Sequence, residues 1–188
     1  MKKPIIAALA IFTAEVLAIV GYYWLACGYA GNVSLTISRY VGLNTWSSIL
    51  FLIGNLAIIA LSAIYMVNSG ARKFSWRFLV SAYMISFLAL SICPHIPNGD
   101  QIIYIHRFFA AAMFISLCLL SLATIDVAKN KLARIFCLSY ALYGFHFIIA
   151  YANHLPYLMN SILIWEAAFV YGSFIVLLLG GSKNKERE

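Results

Sequence analysis

The chain has 188 residues, of which 64% are hydrophobic and 10% are charged, and its mean hydropathy is +0.91. A soluble domain cannot bury so large an apolar fraction, so the composition indicates an integral membrane protein. The formal net charge of +7 comes from short basic clusters at the ends of apolar runs. Membrane topology accounts for these clusters, so we exclude nucleic acid as a partner.

Long apolar runs follow one another along the chain, and each is long enough to cross a bilayer as a helix. The runs do not alternate apolar and polar residues, which excludes a membrane β-barrel. The sequence therefore predicts an all-α, polytopic membrane protein: a single domain, residues 1–188, that forms a six-transmembrane-helix bundle. The predicted spans are about 4–27, 46–67, 76–93, 102–125, 133–151 and 157–179, followed by a short disordered tail at 182–188.

The first run follows Lys2 and Lys3, and a basic start before an apolar run is also typical of a secretory signal. Glu15 interrupts the run, however, and Trp24 stands where a lipoprotein cleavage site has a small aliphatic residue. Since the run is also long enough to span the bilayer, we expect a retained transmembrane helix.

The distribution of Lys and Arg predicts how the bundle lies in the membrane. If the N-terminus is cytoplasmic, 11 of the 13 basic residues fall on the cytoplasmic side, and only Arg39 and Arg107 face outward. Short cytoplasmic loops are enriched in basic residues, so we expect both the N-terminus and the C-terminus to be cytoplasmic.

The connection from Gly28 to Thr45 is the longest between predicted spans and is rich in glycine and small polar residues. We expect it to lie at the outer interface, either as a short helix or as a re-entrant turn. Cys27 before it and Cys93 at the end of the third span both fall on the outer side. An oxidising compartment would permit a disulfide between them, and two free thiols are equally compatible with the sequence.

Ionisable and amide side chains occur near the middle of several predicted spans, where burial in lipid is costly. Glu15, Asn55, His146 and Glu166 lie at similar depths, and we expect them to form one polar layer in which Glu166 contacts His146. A helical spacing on the fifth span predicts a polar face that points into the bundle. Its members are Ser139, Tyr143, His146, Ala150 and Asn153. The layer is either a proton relay or polar pocket, or simply hydrogen-bonded contact between helices.

A second polar group is predicted at the outer ends of the spans. Its members are Arg39, His106, Arg107, Asn153 and His154. The arginines suit a phosphate or carboxylate head group, which would make this group the rim of an outward pocket above the polar layer. Their alternative role is to place charge at the membrane interface above an apolar stem.

Metal chemistry is a further hypothesis for the outer side. His95, Asp100, His106 and His154 have the right donor atoms for zinc with an open coordination position, although their spacing matches no compact metal motif. All four histidines fall in the outer half, so at most one haem would find ligands. We expect no cofactor, with zinc or haem as the alternatives.

Short motifs on the outer side resemble those of a known group of membrane proteins. The stretch 34–42, SLTISRYVG, is similar to an Ile-Ser-x-x-Gly segment of the DRAM/Frag-type six-helix membrane proteins and their prokaryotic relatives of unknown function. Cys93-Pro94 and His106-x-x-x-Ala110 are similar to their Phe-Pro and His-x-x-x-Ala elements. Arg39 and Cys93 depart from that pattern. The resemblance implies a six-helix bundle with outward-facing loops, and it brings no catalytic residues.

Together these features predict a non-catalytic protein of the prokaryotic plasma (inner) membrane that binds a lipid, a small molecule or a partner subunit through an outward-facing polar pocket. Membrane lipids are the expected partners, with a homo-oligomer as a further possibility. Two alternatives remain open at this point. One is a metal-dependent intramembrane hydrolase that uses the outer His and Asp residues. The other is a proton-coupled transporter that uses Glu15, His146 and Glu166.

Overall fold

The computed structural model describes residues 2–68, 74–93, 100–128 and 130–180, with the backbone alone at 100–103. Within these ranges the chain is helical and contains no strand. In chain order the helices are α1 (Lys3–Ala26), α2 (Ile37–Val41), α3 (Thr45–Asn68), α4 (Phe74–Ile92), α5 (Asp100–Ile125), α6 (Lys131–Ala152), α7 (Pro156–Met159) and α8 (Ile162–Gly180).

The long helices are α1, α3, α4, α5, α6 and α8. The described part of the chain therefore has 6 helices long and apolar enough to cross a membrane, which confirms the predicted number of spans and the all-α class. Many large apolar side chains on these helices point away from the protein interior, as a lipid-facing surface requires.

The start of the sixth span differs from the prediction, which placed it at residue 157. Instead, α8 begins at Ile162, and residues 156–159 form the separate short helix α7. The break follows from local geometry: His154 has a left-handed backbone with a φ of 51°, and Pro156 occupies the start of α7. A proline has no amide hydrogen and so begins a helix more readily than it continues one.

The six long helices form a closed bundle. Consecutive long helices pack against each other from α1 through α3, α4 and α5 to α6, and α8 contacts α6, α5 and α1. Hydrogen bonds fix α6 to α8, because the hydroxyls of Tyr140 and Tyr143 donate to the carbonyls of Phe169 and Trp165 at 2.6 Å and 2.8 Å. In an apolar environment such bonds add to side-chain packing as the source of helix association.

The connection between α1 and α3 folds over one end of the bundle, which also carries α7 and which we call the α2 end. Ile37, Tyr40 and Val41 of α2 are buried against the long helices. The Tyr40 hydroxyl accepts a hydrogen bond from Trp24 Nε1 at 2.9 Å and donates to the carbonyl of Asn32 at 2.5 Å. Of the two predicted forms of this connection, the structure has the short helix.

Candidate functional site

A partly open cavity of about 330 Å³ lies at the α2 end between α2, α5, α6 and α8, and we call it the α2-end cavity. Its volume falls within the roughly 300–1,000 Å³ typical of small-molecule sites. One part of its wall is polar, with Ser34, Thr36, Ser38, Arg39, His106, Arg107 and Glu166. The other part is apolar and includes Phe114, Phe147, Ile148, Met159 and Ile162. The cavity therefore has the two kinds of surface that an amphiphilic ligand presents.

The two arginines reach the cavity from different elements. Arg39 belongs to α2, where the Thr36 hydroxyl accepts a hydrogen bond from the Arg39 backbone N–H at 3.1 Å and caps the helix. Arg107 belongs to α5, and both arginines are exposed. Their side chains make no ion pair within the ranges that the structure describes. The cavity thus presents two guanidinium groups, the side chains best suited to bidentate binding of carboxylate or phosphate.

Glu166 connects the cavity to α2. Its side chain is half-buried on α8, and Oε2 accepts a hydrogen bond from the backbone N–H of Ile37 at 2.6 Å. A second link lies close by, since the N–H of Leu163 donates to the carbonyl of Val33 at 3.0 Å. These two contacts hold the α2 segment on α8 and so fix the position of Arg39 over the cavity.

His106 is buried beside Arg107, and its ring is oriented by the residue that follows α4. Nδ1 lies 2.8 Å from the carbonyl oxygen of Cys93. Because a carbonyl oxygen only accepts hydrogen bonds, Nδ1 must carry a proton. The contact fixes the ring and places a polar side chain in the cavity wall.

A smaller cavity of about 40 Å³ lies deeper in the bundle, and we call it the inner cavity. Ser38, His106, Ala110, Phe114 and Glu166 line both cavities, so the two adjoin at a shared wall. The rest of the inner cavity is apolar and includes Phe12, Phe51 and Phe87. Its volume exceeds the roughly 10–15 Å³ that a water molecule needs, and the shared wall supplies polar groups to bind water.

Glu15 and Asn55 line neither cavity. Both are buried, and Asn55 Nδ2 donates to Ser91 Oγ at 2.8 Å. Glu15 lies against Gly54, because a Cβ atom added there would fall 1.5 Å from Glu15 Oε1. Glu15 and Asn55 therefore lie on the α1, α3 and α4 side of the bundle, away from Glu166 on α8. The expectation of a single polar layer is therefore wrong.

The expected contact between His146 and Glu166 is also wrong. His146 is exposed, its Nε2 lies 2.8 Å from the hydroxyl of Tyr157, and Glu166 instead accepts from Ile37. The predicted polar face of α6 does not point inward as a unit, since Ser139 and Asn153 are exposed as well. The core side of α6 is formed by small and aromatic residues that pack on α5 and α8. These are Cys137, Tyr140, Ala141, Gly144, Phe147 and Ala150.

The structure bears on only part of the predicted metal set. His106 is buried in the cavity wall, and His154 is exposed at the end of α6. His95 and the side chain of Asp100 lie outside the described residues. Among the residues that can be examined, no three His, Cys, Asp or Glu side chains form a metal-binding group.

The two cysteines of the possible disulfide are free thiols in the structure. Cys27 is exposed and Cys93 is partly exposed. The Cys93 carbonyl has a structural role, because it accepts the hydrogen bond that orients His106.

The sequence missed the apolar wall of the α2-end cavity. Phe114, Phe147 and Met159 are ordinary residues of apolar helices, so no local pattern separates a ligand-facing position from a lipid-facing or core position. The nearest signal is the pair Ala110 and Ala111, whose small side chains leave space beside His106 and Arg107.

No known protein family matches the chain, and neither a curated protein nor a solved structure is significantly similar to it. The resemblance to the DRAM/Frag-type proteins therefore stays a prediction. Residues from two of its motifs do meet in the structure, since Ser34, Ser38, His106 and Ala110 all line the α2-end cavity.

Proposed function

We propose that this protein is a non-catalytic integral membrane protein that binds an amphiphile with an anionic head group in the α2-end cavity. The observation that carries the proposal is the meeting of Arg39 and Arg107, from separate elements, above an apolar wall. A phosphate or carboxylate would bind the guanidinium groups, and an alkyl chain would lie against Phe114, Phe147 and Ile162.

The charge balance of the cavity favours an anion. Two arginines face one carboxylate, that of Glu166, and this carboxylate already accepts a hydrogen bond from Ile37. A neutral head group would supply no counter-charge to the two guanidinium groups and would make only weaker hydrogen bonds with them. An anionic head group supplies that charge.

The positive-inside pattern supports the proposed sidedness. It puts the basic clusters in the cytoplasm and the α2 end on the opposite face, so the cavity would take its ligand from the outer leaflet or from outside the cell. We propose the prokaryotic plasma membrane as the location, with both termini cytoplasmic.

The test compares two ligands that differ only in the head group: oleoyl lysophosphatidate and the corresponding neutral monooleoylglycerol. Binding to the purified full chain in phosphatidylcholine nanodiscs is measured by native mass spectrometry and by titration. We expect the phosphate-bearing ligand to bind more tightly. We expect Arg39→Gln and Arg107→Gln each to weaken its binding about tenfold, which corresponds to ~1.4 kcal/mol.

Lys131→Gln is the matched control, because it removes one exposed positive charge from the other end of the bundle. Its affinity for lysophosphatidate should equal that of the wild type. Equal binding of both ligands, or arginine variants that bind like the wild type, would contradict the proposal.

If the cavity receives a second copy or a partner subunit instead, the arginine variants would change the mass of the complex. Recovery of the intact ligand after incubation tests the non-catalytic part.

A further inference from the structure

Glu15 is an acidic side chain in the interior of the bundle that the proposed ligand site does not use. It lies on α1, its exposed fraction is 5%, and neither carboxyl oxygen has a hydrogen-bond partner in the described structure. Beside its contact residue Gly54, Asn55 is 0% exposed and its Oδ1 also lacks a partner. Two buried polar side chains, one on α1 and one next to its contact residue on α3, therefore have unsatisfied atoms.

Among the described residues of the helices packed against α1, none places a positive charge beside Glu15. The elements packed against α1 are α2, α3 and α8. Helix α3 contains no Asp, Glu, His, Lys or Arg, and the charged residues of α2 and α8 are Arg39 and Glu166, which line the α2-end cavity. An ionised carboxylate in such a place would have neither a counter-ion nor a hydrogen-bond donor, the costliest arrangement for an acid in a membrane.

The inner cavity lies close to Glu15. On α1, Phe12 is one turn from Glu15, and on α3, Phe51 is one turn from Asn55. Both phenylalanines line the inner cavity, which adjoins the α2-end cavity at the wall that contains His106 and Glu166. The inner cavity therefore reaches within a helical turn of the unsatisfied groups.

We propose that Glu15 is a proton-binding site: a neutral carboxylic acid between α1 and α3 whose proton exchanges with water through the inner cavity. Gly54 provides the space for the carboxyl group, and Asn55 Oδ1 is an acceptor on the adjacent residue. This site is separate from the proposed ligand site, because Glu15 lines neither cavity.

Infrared spectroscopy of the full chain in nanodiscs tests the proposal directly. We expect the C=O band of a protonated carboxyl group at neutral pH, its loss in Glu15→Gln, and its shift when the sample is moved into D2O. Glu166→Gln is the carboxyl control and should keep the Glu15 band. Ala110→Leu narrows the shared wall of the two cavities and should slow the exchange of the band at least several-fold.

A second measurement needs no variant and so does not depend on the folding of Glu15→Gln. Dicyclohexylcarbodiimide modifies protonated carboxyl groups in apolar surroundings, and mass spectrometry of the wild-type chain should find the adduct on Glu15. Protection by sodium but not by alkaline pH would identify a metal-cation site and overturn the proposal. A missing band with no adduct, a band that does not exchange, or an exchange rate unchanged in Ala110→Leu would also overturn it.

Discussion

The two halves of the bundle differ in how completely their buried polar groups are hydrogen-bonded. In the half formed by α5, α6 and α8, buried hydroxyls are satisfied: Tyr140 donates to Phe169, and Ser121 Oγ donates to the carbonyl of Cys137 at 2.7 Å. In the half formed by α1, α3 and α4, several buried polar atoms have no partner among the described residues. They belong to Glu15, Asn55, Ser62, Trp76 and Tyr83.

The α2-end cavity lies in the satisfied half. Its wall comes from α5, α6, α7, α8 and the segment around α2, and α1, α3 and α4 contribute nothing to the wall as described. The space is therefore not the result of poorly matched helices, because the helices around it are tied by hydrogen bonds. This contrast is consistent with the proposed ligand site in one half, and the other half contains polar groups which packing alone does not explain.

The largest expected effect tests the tight packing beneath the cavity. In Gly144→Ala, the new Cβ atom would lie 2.4 Å from Cys118 Sγ and 2.5 Å from Phe169 Cε2, so these side chains, or the helices that carry them, must shift. Overpacking of this kind costs about 1–3 kcal/mol, which we expect to find in the free energy of unfolding in mixed micelles with increasing SDS.

Gly21→Ala is the control for helix propensity, because nothing lies within 4 Å of a Cβ atom at that position of α1. It should be neutral or stabilising by up to ~1 kcal/mol, since alanine is the better helix former. Equal destabilisation by the two substitutions would show that the contacts at Gly144 are not as close as the structure has them.

An intermediate effect is expected in the other half, at the contact between α1 and α3. Gly54→Ala should destabilise the wild type, because its Cβ would lie 1.5 Å from Glu15 Oε1 and would force the carboxyl group out of its place. In the background of Glu15→Ala the same change should cost nothing. A double-mutant cycle should therefore give a coupling of about 1–2 kcal/mol. Additive effects would mean that Gly54 does not accommodate Glu15.

The sequence predicted the number of spans and part of the site, for reasons that differ between residues. Spans follow from apolar length, and Arg39, His106 and Arg107 stand out because a polar residue at a span end is conspicuous. The sequence also singled out Glu166, which lines the α2-end cavity, but it assigned Glu166 the wrong hydrogen-bond partner. The expectation for His146 was wrong because helical spacing identifies a face of α6 but not which face contacts α5 and α8. Gly144, Phe147 and Ala150 lie on the face that is buried.

The smallest expected effect compares two buried serines, one in each half. Ser121 on α5 has a hydrogen bond to the Cys137 carbonyl of α6, whereas Ser62 Oγ on α3 has no partner. Ser121→Ala should therefore cost about 0.6 kcal/mol of unfolding free energy, the average for hydrogen bonds between membrane helices. Ser62→Ala should cost nothing or be slightly stabilising, because it removes a buried polar group that gains nothing from its surroundings. If Ser62→Ala is the more costly of the two, the Ser62 hydroxyl has a partner such as bound water. The halves would then differ in whether water or protein atoms form hydrogen bonds with their buried polar groups.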